Sequence, residues 1–214
     1  MSITLPIDLD PRAMHRVPCD LIAVPLFATG LPLRGPAASL DWRLCGLAAG
    51  SALFDRATAE LGGALLAPTR GRMLAGWALF AGAGDPAAFG EHGARAWAED
   101  VVTRAADLRV GALALALAPE RVSRLALDRT LGATLAGAAA ALAARPRALR
   151  LRLIVAPADV SRAESALAAA VRHYPGGVAV RIDRIQRESD EDGGQTPLHR
   201  ELASSSLRSD VTPA

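Results

Sequence analysis

Two runs in this chain are apolar without alternation. Leu21-Ile22-Ala23-Val24-Pro25-Leu26-Phe27 follows Cys19-Asp20, and Gly111–Ala118 reads Gly-Ala-Leu-Ala-Leu-Ala-Leu-Ala. A strand with one face in water alternates apolar and polar residues, so these runs are expected to be strands covered on both faces. Covered strands need helices above and below, which points to an α/β layer structure.

The rest of the chain supplies those helices and further strands. Ile3, Leu5, Ile7 and Leu9 alternate with polar residues and Pro6, which predicts a half-buried strand at a sheet edge. Asp10-Pro11 to Pro18 is a connection. Ser39 is a plausible helix N-cap, with Leu40, Leu44 and Leu47 at helical spacing behind it. Ala64–Ala67 and Leu74–Ala81 flank Pro68-Thr69-Arg70-Gly71-Arg72, a hairpin turning on Gly71. Asp85-Pro86 opens the clearest helix, its stripe running Phe89, Gly93, Trp97, Val101, Ala105 and Leu108. A long helix is expected over Arg124–Ala144, with Gly132 and Gly137 allowing close approach to a neighbour. Ala148–Ala156 is a strand. Ser161 and Glu164 have capping-box spacing for a helix ending near Tyr174, stopped by Pro175-Gly176-Gly177. Val178–Ile182 is the last strand. This order implies a three-layer α/β/α sandwich with a mixed, mostly parallel sheet. One domain over 1–185 is expected, followed by a polar segment, 186–214, with too few large apolar groups to fold.

Hydrophobic residues make up 51% of the chain and aromatics 4%, so the core has to be built from Leu, Val and Ala. All 24 basic residues are Arg and there is no Asn; the net charge of +2 is too small to argue for nucleic acid, although the pI near 8.9 does not forbid it. Cys19 and Cys45 fit neither a disulfide framework nor a metal motif and read as two buried thiols. The N-terminus lacks a secretory pattern and no stretch reaches the length of a membrane span, so a cytoplasmic location is expected. His15, His92, His173 and His199 show no zinc spacing, and no serine lies in a nucleophile elbow.

One family is similar in the order of these features. The strand Ile3–Leu9, the apolar strand Asp20–Phe27, and Leu40-Asp41 opening a helix are followed by Leu65-Leu66-Ala67-Pro68-Thr69. Ala78-Leu79-Phe80-Ala81-Gly82-Ala83-Gly84 comes next, with a helix directly after, and then Gly111–Leu117. Together they resemble the N-terminal domain of the leucyl aminopeptidases, a macro-domain-like fold, over about residues 1–145 and as far as Pro157. In that family the chemistry belongs to a C-terminal domain with two metal ions and a signature of the type Asn-Thr-Asp-Ala-Glu-Gly-Arg-Leu. A chain with no Lys and no Asn cannot supply it, and the length after residue 157 is too short for that domain. The resemblance therefore implies a module without peptidase activity, catalytic residues, metal or cofactor.

Two sets of residues remain as candidates. Gly82-Ala83-Gly84-Asp85, between a strand and a helix, could cradle a phosphate, although a tight structural turn explains it as well. True macro domains bind ADP-ribose through an Asp near the start of the second strand and an Asn-containing segment. Asp20 stands in a comparable place, but without Asn it reads as a strand-entry residue. Arg145, Arg147, Arg150 and Arg152 form a basic cluster, joined by Arg181, Arg184 and Arg187 if their strands are adjacent, and Glu188–Asp192 could neutralise it. The leading expectation is a non-catalytic interaction or scaffold module that self-associates or docks onto a protein. The alternatives are a small-ligand or nucleotide binder at the sheet edge, or nucleic-acid binding through Arg145–Arg152.

Overall fold

The computed structural model describes residues 3–29, 31–51, 56–172 and 178–184. The expected polar segment 186–214, the stop Pro175-Gly176-Gly177, His173, His199, Arg187 and the acidic run Glu188–Asp192 lie outside them. In chain order the elements are β1 (Ile3–Asp10), a 3-10 turn (Met14–Arg16), β2 (Leu21–Phe27), α1 (Gly35–Arg43), α2 (Arg56–Ala59) and β3 (Ala64–Pro68). Then follow β4 (Trp77–Gly84), α3 (Glu91–Asp107), β5 (Ala112–Ala116), α4 (Glu120–Ser123) and α5 (Leu127–Ala144). The last are β6 (Arg150–Ile154), a 3-10 turn (Pro157–Asp159), α6 (Val160–Arg172) and β7 (Val178–Arg184).

The apolar runs are the centre of the sheet. All seven side chains of β2 are buried, and so are the last four of β5. The strand order is β3-β4-β2-β5-β6-β1-β7, parallel throughout except for the antiparallel β3–β4 hairpin. One face packs Leu79, Leu113, Leu115 and Leu151 against Trp97, Val101, Leu131, Leu142 and Leu167 of α3, α5 and α6. The other packs Ile22, Val24, Phe80 and Ala114 against Ala37, Leu40 and Leu44 at α1. This is the expected three-layer sandwich. Among the described residues, no helix is long and apolar enough to cross a membrane.

Small residues set the closest approaches. A Cβ on Gly137 would lie 2.2 Å from the Arg95 carbonyl oxygen, so α5 seats on α3 only because nothing is there. Gly132 meets nothing within 4 Å, so the expected role of a contact glycine holds for Gly137 alone. The Trp97 indole N–H donates to the Ala81 carbonyl at 3.2 Å and pins α3 to β4.

Several local expectations are corrected. β1 is interior, because β7 adds beyond it; Pro6 faces Arg181 across that ladder, while the β6 ladder starts only at Ile7. α1 begins at Gly35 with Pro36 in its first turn, so Ser39 lies within the helix and its hydroxyl donates back to the Gly35 carbonyl. Residues 85–90 form turns, and α3 starts at Glu91; Leu108, last in the expected stripe, is exposed. The expected helix start at Arg124 is instead the left-handed C-cap of the short helix α4, at φ 56°, and α5 begins only at Leu127. Ser161 falls inside the first turn of α6 rather than ahead of it. Cys45 is exposed, in a turn with φ 59°, and only Cys19 is partly buried.

Candidate functional site

The glycine turn and Asp20 do not meet. β2 and β4 run parallel with Leu21 opposite Trp77 and Phe27 opposite Gly84, so Asp20 and Gly84 stand at opposite edges of the sheet. The Asp20 carboxylate accepts from the N–H groups of Gly111 and Ala112 at 2.8 and 2.9 Å and ties the start of β5 to that of β2. Gly82 is needed for packing: a Cβ there would lie 1.9 Å from the Glu60 carbonyl oxygen. Gly84 holds φ +70°, and Asp85 accepts from the Ala87 N–H at 2.8 Å. These three shape a turn. Beside it, Pro86 lines a cavity of about 140 Å³ with Phe27, Thr29, Arg34 and Arg121.

The basic cluster is also divided. β6 and β7 are separated by β1, so their arginines do not line adjacent strands. Arg145 pairs with Asp107 at 3.0 Å, and Arg147 is exposed. Arg150 pairs with Asp8 at 3.2 Å; Arg152 reaches Asp8 and Asp10 at 3.7 Å each, and among the described residues its Nε has no hydrogen-bond partner. The alternating pattern of β1 placed Asp8 toward solvent. Instead Asp8 and Asp10 are buried, at 3% and 0% exposure: Arg152 lies in register beside Asp8, Arg150 reaches the same carboxylate, and Arg12 and Arg152 reach Asp10. A buried carboxylate requires such partners.

Asp10 in turn organises a cleft. Its carboxylate accepts from Arg12 at three points, Nε at 2.9 Å, Nη2 at 2.7 Å and the backbone N–H at 3.0 Å. That two-point fork fixes the guanidinium at the mouth of a cleft of about 830 Å³ beyond the C-terminal ends of β5, β6 and β1. Ala116, Leu117, Ile154 and Val155 form its apolar wall; Arg12, His15, Ser39, Trp42 and Arg43 supply its polar and aromatic groups, and among the described residues no carboxylate lines it. Trp42 is 73% exposed, and the Arg43 guanidinium lies 5.1 Å from its ring centroid. The His15 pKa is held below the ordinary histidine value, first by desolvation and then by Arg43 and Arg16. On the far side of Trp42, Leu31, Cys45 and Arg72 line a second cleft of about 780 Å³.

Burial pushes the Cys19 thiol up to about 12, despite the opposing pull of Arg152, so it is held as a neutral thiol. Among the described residues, no group of three or more His, Cys, Asp or Glu could hold a metal ion. Sequence reasoning passed over Arg12, Trp42 and Arg43, and treated His15 as scattered. The signal that was present is Arg12, His15 and Arg16 within the connection leaving a strand at its C-terminal end, the edge where open α/β sheets place ligands.

The sequence matches no family model, and no curated protein matches it. The fold is similar to that of a mutant tomato leucine aminopeptidase, with a TM-score of 0.58 and 14% identity, over 79% of this chain and 37% of that one. It is similar also to a mutant macrodomain from Oceanobacillus iheyensis, with a TM-score of 0.59 and 9% identity, over 78% of this chain and 93% of that one. The chain thus spans little more than a third of the aminopeptidase and nearly all of the macrodomain. These likenesses show a macro-like α/β/α fold resembling the aminopeptidase N-terminal domain, as the order of motifs implied.

Proposed function

We propose that this chain is a binding module for a small anionic molecule carrying a flat ring, of the nucleotide class, and that it holds this ligand without transforming it. The observation that carries the reading is the cleft at Asp10–Arg12: cations and an exposed tryptophan gathered at the C-terminal edge, with no carboxylate among the described residues that line it. Guanidinium groups such as those of Arg12 and Arg43 suit phosphate or carboxylate, and an indole offers a stacking face. The apolar wall supplies the area from which a ring gains affinity.

Thermal-shift and calorimetric titration with AMP, ADP and ADP-ribose, beside inorganic phosphate, test this. Nucleotides are expected to raise the unfolding temperature, and Arg12→Ala and Trp42→Ala to remove the effect. No stabilisation at millimolar nucleotide would overturn the reading, because a ligand at 100 times its Kd adds about 2.7 kcal/mol. A second reading, docking of a protein, draws on exposed Leu31 and Trp42 at 57% and 73% along the neighbouring cleft.

A further inference from the structure

β7 brings the chain back to the edge of the sheet where the cleft lies. It runs parallel to β1, with Val178 opposite Ile3 and Arg184 opposite Leu9, so both strands end at the same edge. From the end of β1 the chain passes into Pro11, Arg12, Ala13, Met14 and His15, all of which line the cleft. β1, β6 and β5, whose ends the cleft overlies, are the next three strands of the sheet. At about 4.8 Å per strand the cleft lies about 5 to 15 Å from the end of β7.

The chain that follows carries the charge the cleft lacks. Glu188-Ser189-Asp190-Glu191-Asp192 holds four carboxylates in five residues and starts four residues after Arg184. An extended chain covers at most about 3.5 Å per residue, so this run reaches about 14 to 28 Å beyond β7. In the cleft, Arg12 has Asp10, whereas among the described residues no ion pair involves Arg43, which lies over Trp42. The other candidates for this run are placed and engaged differently. Arg150 opens β6 opposite Ala112 at the start of β5, so it stands at the far edge of the sheet. It pairs with Asp8, and Arg145 pairs with Asp107. Neutralising that cluster would require the run to return along the length of β6.

We propose that Glu188–Asp192 occupies the cleft of its own chain, its carboxylates beside Arg12 and Arg43, and competes there with the anionic ligand. The competition rests on the nucleotide reading above; the contact itself does not. A short tether keeps the run at an effective concentration of about millimolar, so weak ion pairs suffice to hold it. Guanidinium groups suit carboxylates and phosphates alike, so one set of arginines serves both occupants. The segment thereby sets the ligand concentration at which the cleft fills.

A nitroxide on Ser189→Cys in a Cys45→Ser chain tests the contact without a ligand and with every acidic charge kept. Burial holds Cys19 as a neutral thiol, so the label goes to residue 189. The Trp42 indole N–H resonance is expected to broaden several-fold more than that of Trp77, which starts β4 at the opposite edge. Glu188→Gln, Asp190→Asn, Glu191→Gln and Asp192→Asn together should abolish the difference and raise the affinity for ADP about tenfold. Isotope-labelled chains mixed with unlabelled nitroxide chains should show no broadening, since the contact lies within one chain. Equal broadening at Trp42 and Trp77, broadening that survives neutralisation, or broadening in the mixture would overturn the contact. ADP binding of equal strength before and after neutralisation would overturn the competition. Selective broadening at Trp42, with no ADP binding even by the neutralised chain, would uphold the contact and overturn the nucleotide reading alone.

Discussion

Asp10 and Arg12 are joined by a fork of two side-chain hydrogen bonds, 2.9 and 2.7 Å long, with the carboxylate at 0% exposure and the guanidinium at the rim of the cleft. The partners are two residues apart, so the strand end and its following turn hold the pair with little side-chain freedom to lose.

That pair separates two arginine roles. Asp10→Ala removes a buried acceptor and releases Arg12, at an expected cost of about 3 kcal/mol. It should also weaken nucleotide binding, because Arg12 loses the carboxylate that orients it. Arg152→Met removes a cation that reaches its carboxylates only at 3.7 Å and leaves Asp8 with Arg150 and Asp10 with Arg12. Its expected cost is under about 1 kcal/mol. Urea unfolding of both variants checks the order, and equal losses would mean that Arg152 carries the network.

Two glycines of α5 give an internal contrast. Gly137→Ala drives a methyl to within 2.2 Å of the Arg95 carbonyl and 2.9 Å of the Glu99 nitrogen, both backbone atoms that move only with α3. The expected loss is about 3 kcal/mol, the upper range for overpacking. Gly132→Ala meets nothing and replaces a poor helix former, so it should gain up to about 1 kcal/mol. Thermal unfolding of the pair reads both signs.

Binding should depend on pH through His15. Burial first, and then Arg43 and Arg16, keep the imidazole pKa below the ordinary value; Arg12 shares its cleft. A bound anion offsets that positive field and favours the imidazolium, so the histidine takes up a proton on binding. Nucleotide affinity is therefore expected to rise several-fold as pH falls through the His15 titration. His15→Gln should flatten the profile. Calorimetry in buffers of differing ionisation heat measures the proton uptake directly.

How far the sequence discloses this molecule depends on the range of the interaction. β2, β5, the β3–β4 hairpin and the Gly137 contact are legible because their signals are continuous apolar runs, a local turn or a small residue on a helix. The place of β1 is not legible, since its neighbours β6 and β7 come from the far end of the chain and alternation alone cannot rank edge against interior. Burial of Asp8 is hidden for the same reason: its partner Arg150 is 142 residues away. Gly82 and Gly84 looked like a phosphate loop because a close helix approach and a positive φ demand the same residue type. The cleft residues Arg12, His15, Trp42 and Arg43 come from one connection and one helix with no fixed spacing, so no motif announces them.

The two thiols are expected to differ sharply in reactivity. Cys45 is exposed in the turn after α1 and lines the cleft beside Leu31 and Trp42. Cys19 is partly buried, donates weakly to the Val17 carbonyl at 3.6 Å, and has a pKa of about 12 set chiefly by burial. Since the thiolate is the nucleophile, Cys19 held as a neutral thiol is expected to be nearly inert at pH 8. Brief treatment with iodoacetamide should therefore modify Cys45 alone, and Cys45→Ser should abolish that labelling, with Cys19 reacting only after denaturant is added. Peptide mass spectrometry locates the adduct. Fast labelling at Cys19 in the folded chain would show that the segment between β1 and β2 opens, and with it the wall of the cleft that holds Arg12 and His15.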